Sequence, residues 1–150
     1  MFADPRFTDD ELRDSFEVVS LSALPSIDDP EELPLEPDEW RFPRLNLDAY
    51  VHVADWRRIA EVAVEWLESG SDPLDVAAIA EHARKRELDS DDIDWLLSLF
   101  RPFDAIEWLR GGSKVTGGRK RLHALRAAGV KRCVVYTGRG ERRRQETIDP

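Results

Sequence analysis

A chain of 150 residues that is 41% hydrophobic and carries five tryptophans has apolar material for one real core, which excludes a disordered chain. No apolar run approaches the ~20 residues of a membrane helix, and the lone Cys133 excludes an internal disulfide. The net charge of −9 conceals a division: residues 1–109 carry 10 Lys and Arg against 28 Asp and Glu, whereas residues 110–150 carry 12 against 3. Such asymmetry is expected either of a basic face on an acidic body or of acidic elements neutralising basic ones inside the fold.

Residues 1–15 read as a polar, acidic arm with a short helix from Thr8. The start, MFADPRFTDDEL, lacks the basic and apolar regions of a signal peptide, so a cytoplasmic protein is the simplest expectation. Glu17 to Leu21 is the first expected strand. Pro25 to Pro43, with five prolines and many acids, predicts an extended surface connection. Leu45 to Val53 is a short strand or a loop.

Three helices are expected next. Ala54 to Glu68 places Trp56, Ile59, Ala60, Ala63, Val64 and Leu67 on one side, and Gly70 stops it. Asp72 as N-cap and Pro73 in the first turn predict a second helix to about Arg86, on which Leu74, Ala77, Ala78 and Glu81 make only a mild stripe. Ser90 caps a third, Asp91 to Phe100, with acids in its first turn and Ile93, Leu96, Leu97 and Phe100 as its apolar stripe. Val76 to Ala80 is faintly similar to a helix-turn-helix, but Asp91, Asp92 and Asp94 at the start of the next helix would repel phosphate and argue against it.

The most informative stretch is Ala105 to Thr137, AIEWLRGGSKVTGGRKRLHALRAAGVKRCVVYT. Ile106 to Leu109 is a strand, Gly111-Gly112 a two-residue hairpin turn, and Lys114 to Thr116 the returning strand. Gly117-Gly118 then turns the backbone into a helix from Arg119 to Ala128, with Gly129 at its C′ position and a last strand at Cys133 to Tyr136. Cys133 reads as a small core residue. The tail GRGERRRQ at 138–145 reads as flexible, with arginines suited to nucleic acid, an acidic partner or solubility. At the corner, the first amides of a helix are unpaired donors at the positive end of its dipole. Two glycines let an anion approach them, and Arg119, Lys120 and Arg121 add charge, the makings of a phosphate cradle. Thr116 either adds a hydroxyl or pairs within its strand.

Elsewhere the residues give little chemistry. His52, His82 and His123 sit on different elements without metal-ligand spacing, and no zinc site or Ser-His triad can be assembled. His123 lies two residues past Arg121, which turns it to another face of the helix and gives it a surface role. Asp104 and Glu107 are the nearest carboxylates to the corner; one could orient a nucleotide-bound Mg2+, but pairing with Arg119 or Lys120 is the expectation for them.

VTGGRKRLHALRAAGVKRCVV resembles the glycine-arginine box of the ParB/sulfiredoxin-like superfamily. The ParB-type pattern Gly-Glu-Arg-Arg-apolar falls on Gly118 to Leu122, and the sulfiredoxin pattern Gly-Gly-Cys-His-Arg on Gly117 to Arg121. Phe16 to Leu24, followed by Pro25, is similar to the family's first strand, and Ala54 to Gly70 to the helix after it. Both patterns end on Arg121, which the resemblance marks for phosphate contact. Position 119 holds Arg where the family has an acid or a nucleophilic cysteine, which argues against sulfiredoxin chemistry and leaves nucleotide hydrolysis and phosphotransfer open.

The resemblance implies a single α+β domain over residues 1–150, with a small mixed sheet, a helical insert at about 71–101 and a basic tail at 138–150. It implies a nucleotide- or phosphate-binding protein whose site is Thr116, Gly117, Gly118, Arg119, Lys120 and Arg121, with ATP or CTP and Mg2+ as its cofactors. Two other readings stand beside it: a protein that binds DNA or RNA without sequence preference through its basic end, and a non-catalytic module for a protein partner. None involves a membrane.

Overall fold

The computed structural model describes residues 8–26, 50–102, 104–109 and 112–140. The expected acidic connection beyond Ser26, positions 45–49 and the tail from 141 lie outside them. Thr8 opens helix α1 (Asp9–Arg13): its hydroxyl accepts from the Glu11 amide while the Glu11 carboxylate answers the Thr8 amide, a capping box. Leu12 is the buried residue of this one-turn helix. Strand β1 (Phe16–Ser20) follows and ends in a 3₁₀ turn at Leu21–Ala23. Where a strand or a loop was expected, Tyr50–His52 forms a second 3₁₀ turn.

Helix α2 (Trp56–Glu68) starts on Asp55, whose carboxylate accepts from the Arg58 amide, and buries the expected Trp56, Ile59, Ala60, Ala63 and Val64 together with Val62. The next two helices begin away from the expected caps. Asp72 holds the Leu74 amide at 2.8 Å in a separate turn, and Asp75 caps helix α3 (Val76–Lys85) three residues later. The buried face of α3 is therefore Ile79, Ala80 and Ala83, not the stripe counted from Asp72. Asp89, not Ser90, caps helix α4 (Ser90–Ser98) by accepting from the Asp92 amide at 2.8 Å. In both cases neighbouring residues could cap, and packing of the apolar face chose between them.

Helix α5 (Arg119–Ala127) and strand β2 (Arg132–Tyr136) complete the regular elements. The two strands pair antiparallel, with Phe16 opposite Tyr136 and Ser20 opposite Arg132. Phe16 meets the Tyr136 ring edge-on at 5.3 Å and reaches Phe100 at 6.0 Å, which ties the sheet to the end of α4. Cys133 is fully buried on β2, and burial pushes its thiol up to about 12. It is a core residue, as expected. The fold is α+β among the described residues, and no helix among them is long and apolar enough to cross a membrane.

The expected hairpin is reduced to single bridges. Glu107 bridges Gly117 antiparallel and Tyr136 parallel. The Glu107 amide donates to the Gly117 carbonyl at 3.0 Å, while the Thr116 amide donates to the Glu107 carbonyl at 2.8 Å. Two residues thus face one, as in a β-bulge, which ends regular pairing. The expected turn at Gly111-Gly112 falls on Arg110 and Gly111, which lie outside the described residues; on its far side the Gly112 amide donates to the Leu109 carbonyl and the Gly112 carbonyl accepts from the Trp108 indole at 3.1 Å. On the other side of the bulge segment, Tyr136 and Ile106 to Trp108 exchange bonds of 2.8 and 3.0 Å. The strand–corner–helix unit is thereby fastened to β2.

The basic tail also begins as part of the fold. The Thr137 amide donates to the Ser15 carbonyl at 2.7 Å, the Gly140 amide to the Ser15 hydroxyl at 3.1 Å, and Arg139 lies 3.5 Å from Glu17. Residues 138–140 are docked rather than loose, because Ser15 offers both an acceptor and a hydroxyl beside β2.

Two glycines at the ends of α5 have left-handed backbones for different reasons. Gly129 (φ 78°) closes the helix: its amide donates to Arg126 and that of Val130 to Leu125, each at 3.0 Å, with open space where a Cβ would stand. Gly118 (φ 71°) opens it, and a Cβ there would lie 2.7 Å from both Cα and Cγ1 of Ile106. Gly129→Ala should therefore lose about 1–2 kcal/mol, the left-handed cost alone. Gly118→Ala should lose distinctly more, about 3 kcal/mol, because overpacking adds to the same backbone cost. Urea unfolding of the two variants beside the wild type checks the difference.

Candidate functional site

The corner opens onto a cleft of about 330 Å³ whose walls come from four parts of the chain. All six expected residues, Thr116 to Arg121, line it. Tyr50 from the second 3₁₀ turn, Trp95 and Ser98 from α4, and Asp104 complete it. Gly118 offers no side chain to cap α5, and no acidic residue stands in the first turn of that helix. The first regular helical bond runs from Leu122 to the Gly118 carbonyl at 2.9 Å, so the amides before it have no partner within the helix. The electropositive end of α5 therefore faces the cleft, with Lys120 beside it.

The six residues do not play equal parts. Arg121 is 7% exposed and its guanidinium is committed to the protein: Nη1 donates to the Ser98 hydroxyl at 2.8 Å, and Nη2 donates to the Asp104 carbonyl. The Asp104 carboxylate lies 3.6 Å from it. Burial lowers the Arg121 pKa from its usual value, and Asp104 opposes that shift. Thr116 takes the strand-pairing option, its hydroxyl donating to the Glu107 carboxylate at 2.6 Å. Lys120 holds its ammonium 5.8 Å above the Tyr50 ring. Asp104 pairs with Arg121 and, at 4.0 Å, with Arg101, not with the expected Arg119 or Lys120. His123 is half-buried and does not line the cleft.

Three cleft residues carry no signal in the sequence pattern. Ser98 and Trp95 lie on α4, where the apolar stripe takes the eye, and Tyr50 follows a stretch without periodicity. Tyr50 is fixed by the Trp56 indole, which donates to its carbonyl at 2.6 Å, and by Trp95, whose ring meets its own at 5.4 Å. Trp95 in turn packs on Trp56 at 5.4 Å.

A larger cleft, of about 810 Å³, lies between α2 and the start of β2. Several of its charges are paired: Arg132 with Glu68 at 3.0 Å and Arg86 with Glu65 at 3.3 Å. The smaller cleft is the stronger candidate because a helix start and its basic residues converge there without an acid in the same turn.

No family model matches the chain, and neither a curated protein nor a solved structure does.

If Arg121 is a structural tie, Arg121→Met should lose about 2 kcal/mol, since it leaves the Asp104 carbonyl and Ser98 hydroxyl without their partner. Ser98→Ala should lose about 1 kcal/mol, the worth of one hydrogen bond. Denaturant unfolding measures both, and an Arg121→Met variant as stable as the wild type would show that the guanidinium holds nothing.

Proposed function

We propose that this chain is a nucleotide- or phosphate-binding protein of ParB/sulfiredoxin-like build, with its phosphate site at the Gly117-Gly118 corner. The observation that carries the reading is the left-handed Gly118, which starts α5 without a side-chain cap and leaves its amide end facing a cleft lined by the whole motif. Backbone donors at a helix start suit phosphate oxygens, and the dipole adds to the attraction. Lys120 supplies a mobile point charge, and Arg119 a second cation on the same turn. Arg121 acts at one remove: it holds α5 against α4 and Asp104 so that the amide end stays aimed into the cleft. The order β1, α2, bulged segment, corner, α5, β2 is in keeping with the family resemblance, with α3 and α4 as the insert.

ATP or CTP with Mg2+ fits this cleft through its phosphates. No group of three metal-ligating side chains occurs among the described residues, so magnesium would enter on the phosphates, as it does where one carboxylate or none is offered. The carboxylate that lines the cleft among the described residues, Asp104, is paired with two arginines, so the proposal is for binding. A small anion suits the site better than a nucleic-acid strand. The wall that carries Trp95 and Ser98 begins with Asp91, Asp92 and Asp94, which oppose a long phosphate backbone.

Thermal unfolding with a panel of nucleoside triphosphates and Mg2+ tests the reading. A ligand at ~100 times its Kd adds about 2.7 kcal/mol, which for a domain of this size is a rise of roughly 5–10 °C. The rise is expected in the wild type and should shrink in Lys120→Ala. No rise with any of them, in a folded sample, would remove the nucleotide.

A further inference from the structure

The aromatic wall of the cleft says more about the ligand than the phosphate corner does. A site for inorganic phosphate needs donors and charge, and gains nothing from large rings. Here the corner faces Tyr50 and Trp95, two half-buried residues that line the cleft and hold each other in an edge-on contact at 5.4 Å. They come from segments 45 residues apart, and neither belongs to the glycine-arginine motif. Both are held in place: Tyr50 by the bond to its carbonyl from Trp56, Trp95 by packing on Trp56. Rigid aromatic faces beside a phosphate site are what a planar ring attached to a phosphate would stack on.

Resting on the phosphate-binding reading above, we infer that Tyr50 and Trp95 are specificity-determining residues, and that the ligand is a phosphate ester bearing a planar ring, a nucleoside phosphate rather than inorganic or sugar phosphate. Lys120 links the two halves of the site. Its ammonium lies over the Tyr50 ring, 5.8 Å from the centroid, where cation and π-face attract. A phosphate at the start of α5 draws that ammonium toward itself and opens the Tyr50 face to the ring of the same ligand. A bare polyphosphate takes the lysine and leaves the ring face unused.

Calorimetric titration of the full chain with inorganic tripolyphosphate, ribose 5-phosphate, ATP and CTP separates the two parts of the site. The wild type should bind at least one nucleotide about tenfold or more tighter than tripolyphosphate, as one stacked base is worth by substitution. Tyr50→Leu should lose that advantage and keep its tripolyphosphate affinity, while Tyr50→Phe, which restores a ring, should keep both. Trp95→Leu should act like Tyr50→Leu, with far-UV circular dichroism to confirm that it is folded. Equal affinity for tripolyphosphate and nucleotides in the wild type would overturn the aromatic inference and leave the phosphate corner standing. Binding of none of the four would overturn both.

Discussion

The arrangement turns on one close approach, that of Gly118 to Ile106. The backbone there is left-handed, and a methyl group would strike both the Cα and the side chain of Ile106. This contact lets the chain leave the bulge at Thr116-Gly117 and enter α5 within a single residue. It also sets where Arg121 falls, one turn into the helix and within reach of Ser98 and Asp104. A corner one atom wider would carry the helix start away from α4 and take the amide end out of the cleft. Glycine is required by geometry here, whatever the cleft binds.

Much of this corner is legible in the sequence because it is local. A glycine pair before a basic, leucine-spaced helix, with Gly129 after it, fixes a start, a direction and a stop within a dozen residues. The strands around Val18 and Val134 are legible for the same reason. The starts of α3 and α4 are not, because Asp72 and Asp75, and likewise Asp89 and Ser90, are rival caps that only burial of Ile79 and Ile93 can rank. The antiparallel return of the chain from Glu107 to Gly117 is legible because it is local, whereas the second bridge of Glu107, to Tyr136, leaves no mark in a window of ten residues.

The cleft itself is half legible. Residues 116–121 announce themselves as a set, but the direction of each side chain is decided by what packs against it. Arg121 has the residue type of a phosphate ligand and the environment of a buried tie. Trp95 and Tyr50 lie 23 and 68 residues before Gly118, and no spacing rule connects them to it. The charge division in the sequence is partly resolved within the fold: Arg121 with Asp104, Arg132 with Glu68 and Arg139 with Glu17 each join the basic end to the acidic body. Of these, the exposed Arg132–Glu68 pair contributes little stability, whereas Arg121 is a buried tie. Lys120, by contrast, rests over an aromatic ring at the cleft.

The most direct measurement is a titration of isotope-labelled protein with tripolyphosphate and then with a nucleotide, followed through its backbone amide resonances. Saturable shifts centred on Gly118, Arg119 and Lys120 are the result this account requires, with the Tyr50 and Trp95 signals joining them only for the nucleotide. Shifts centred instead on Glu65, Arg86 and Arg132 at the larger cleft, or none that saturate, would place any binding elsewhere and leave the Gly118 corner a purely structural device.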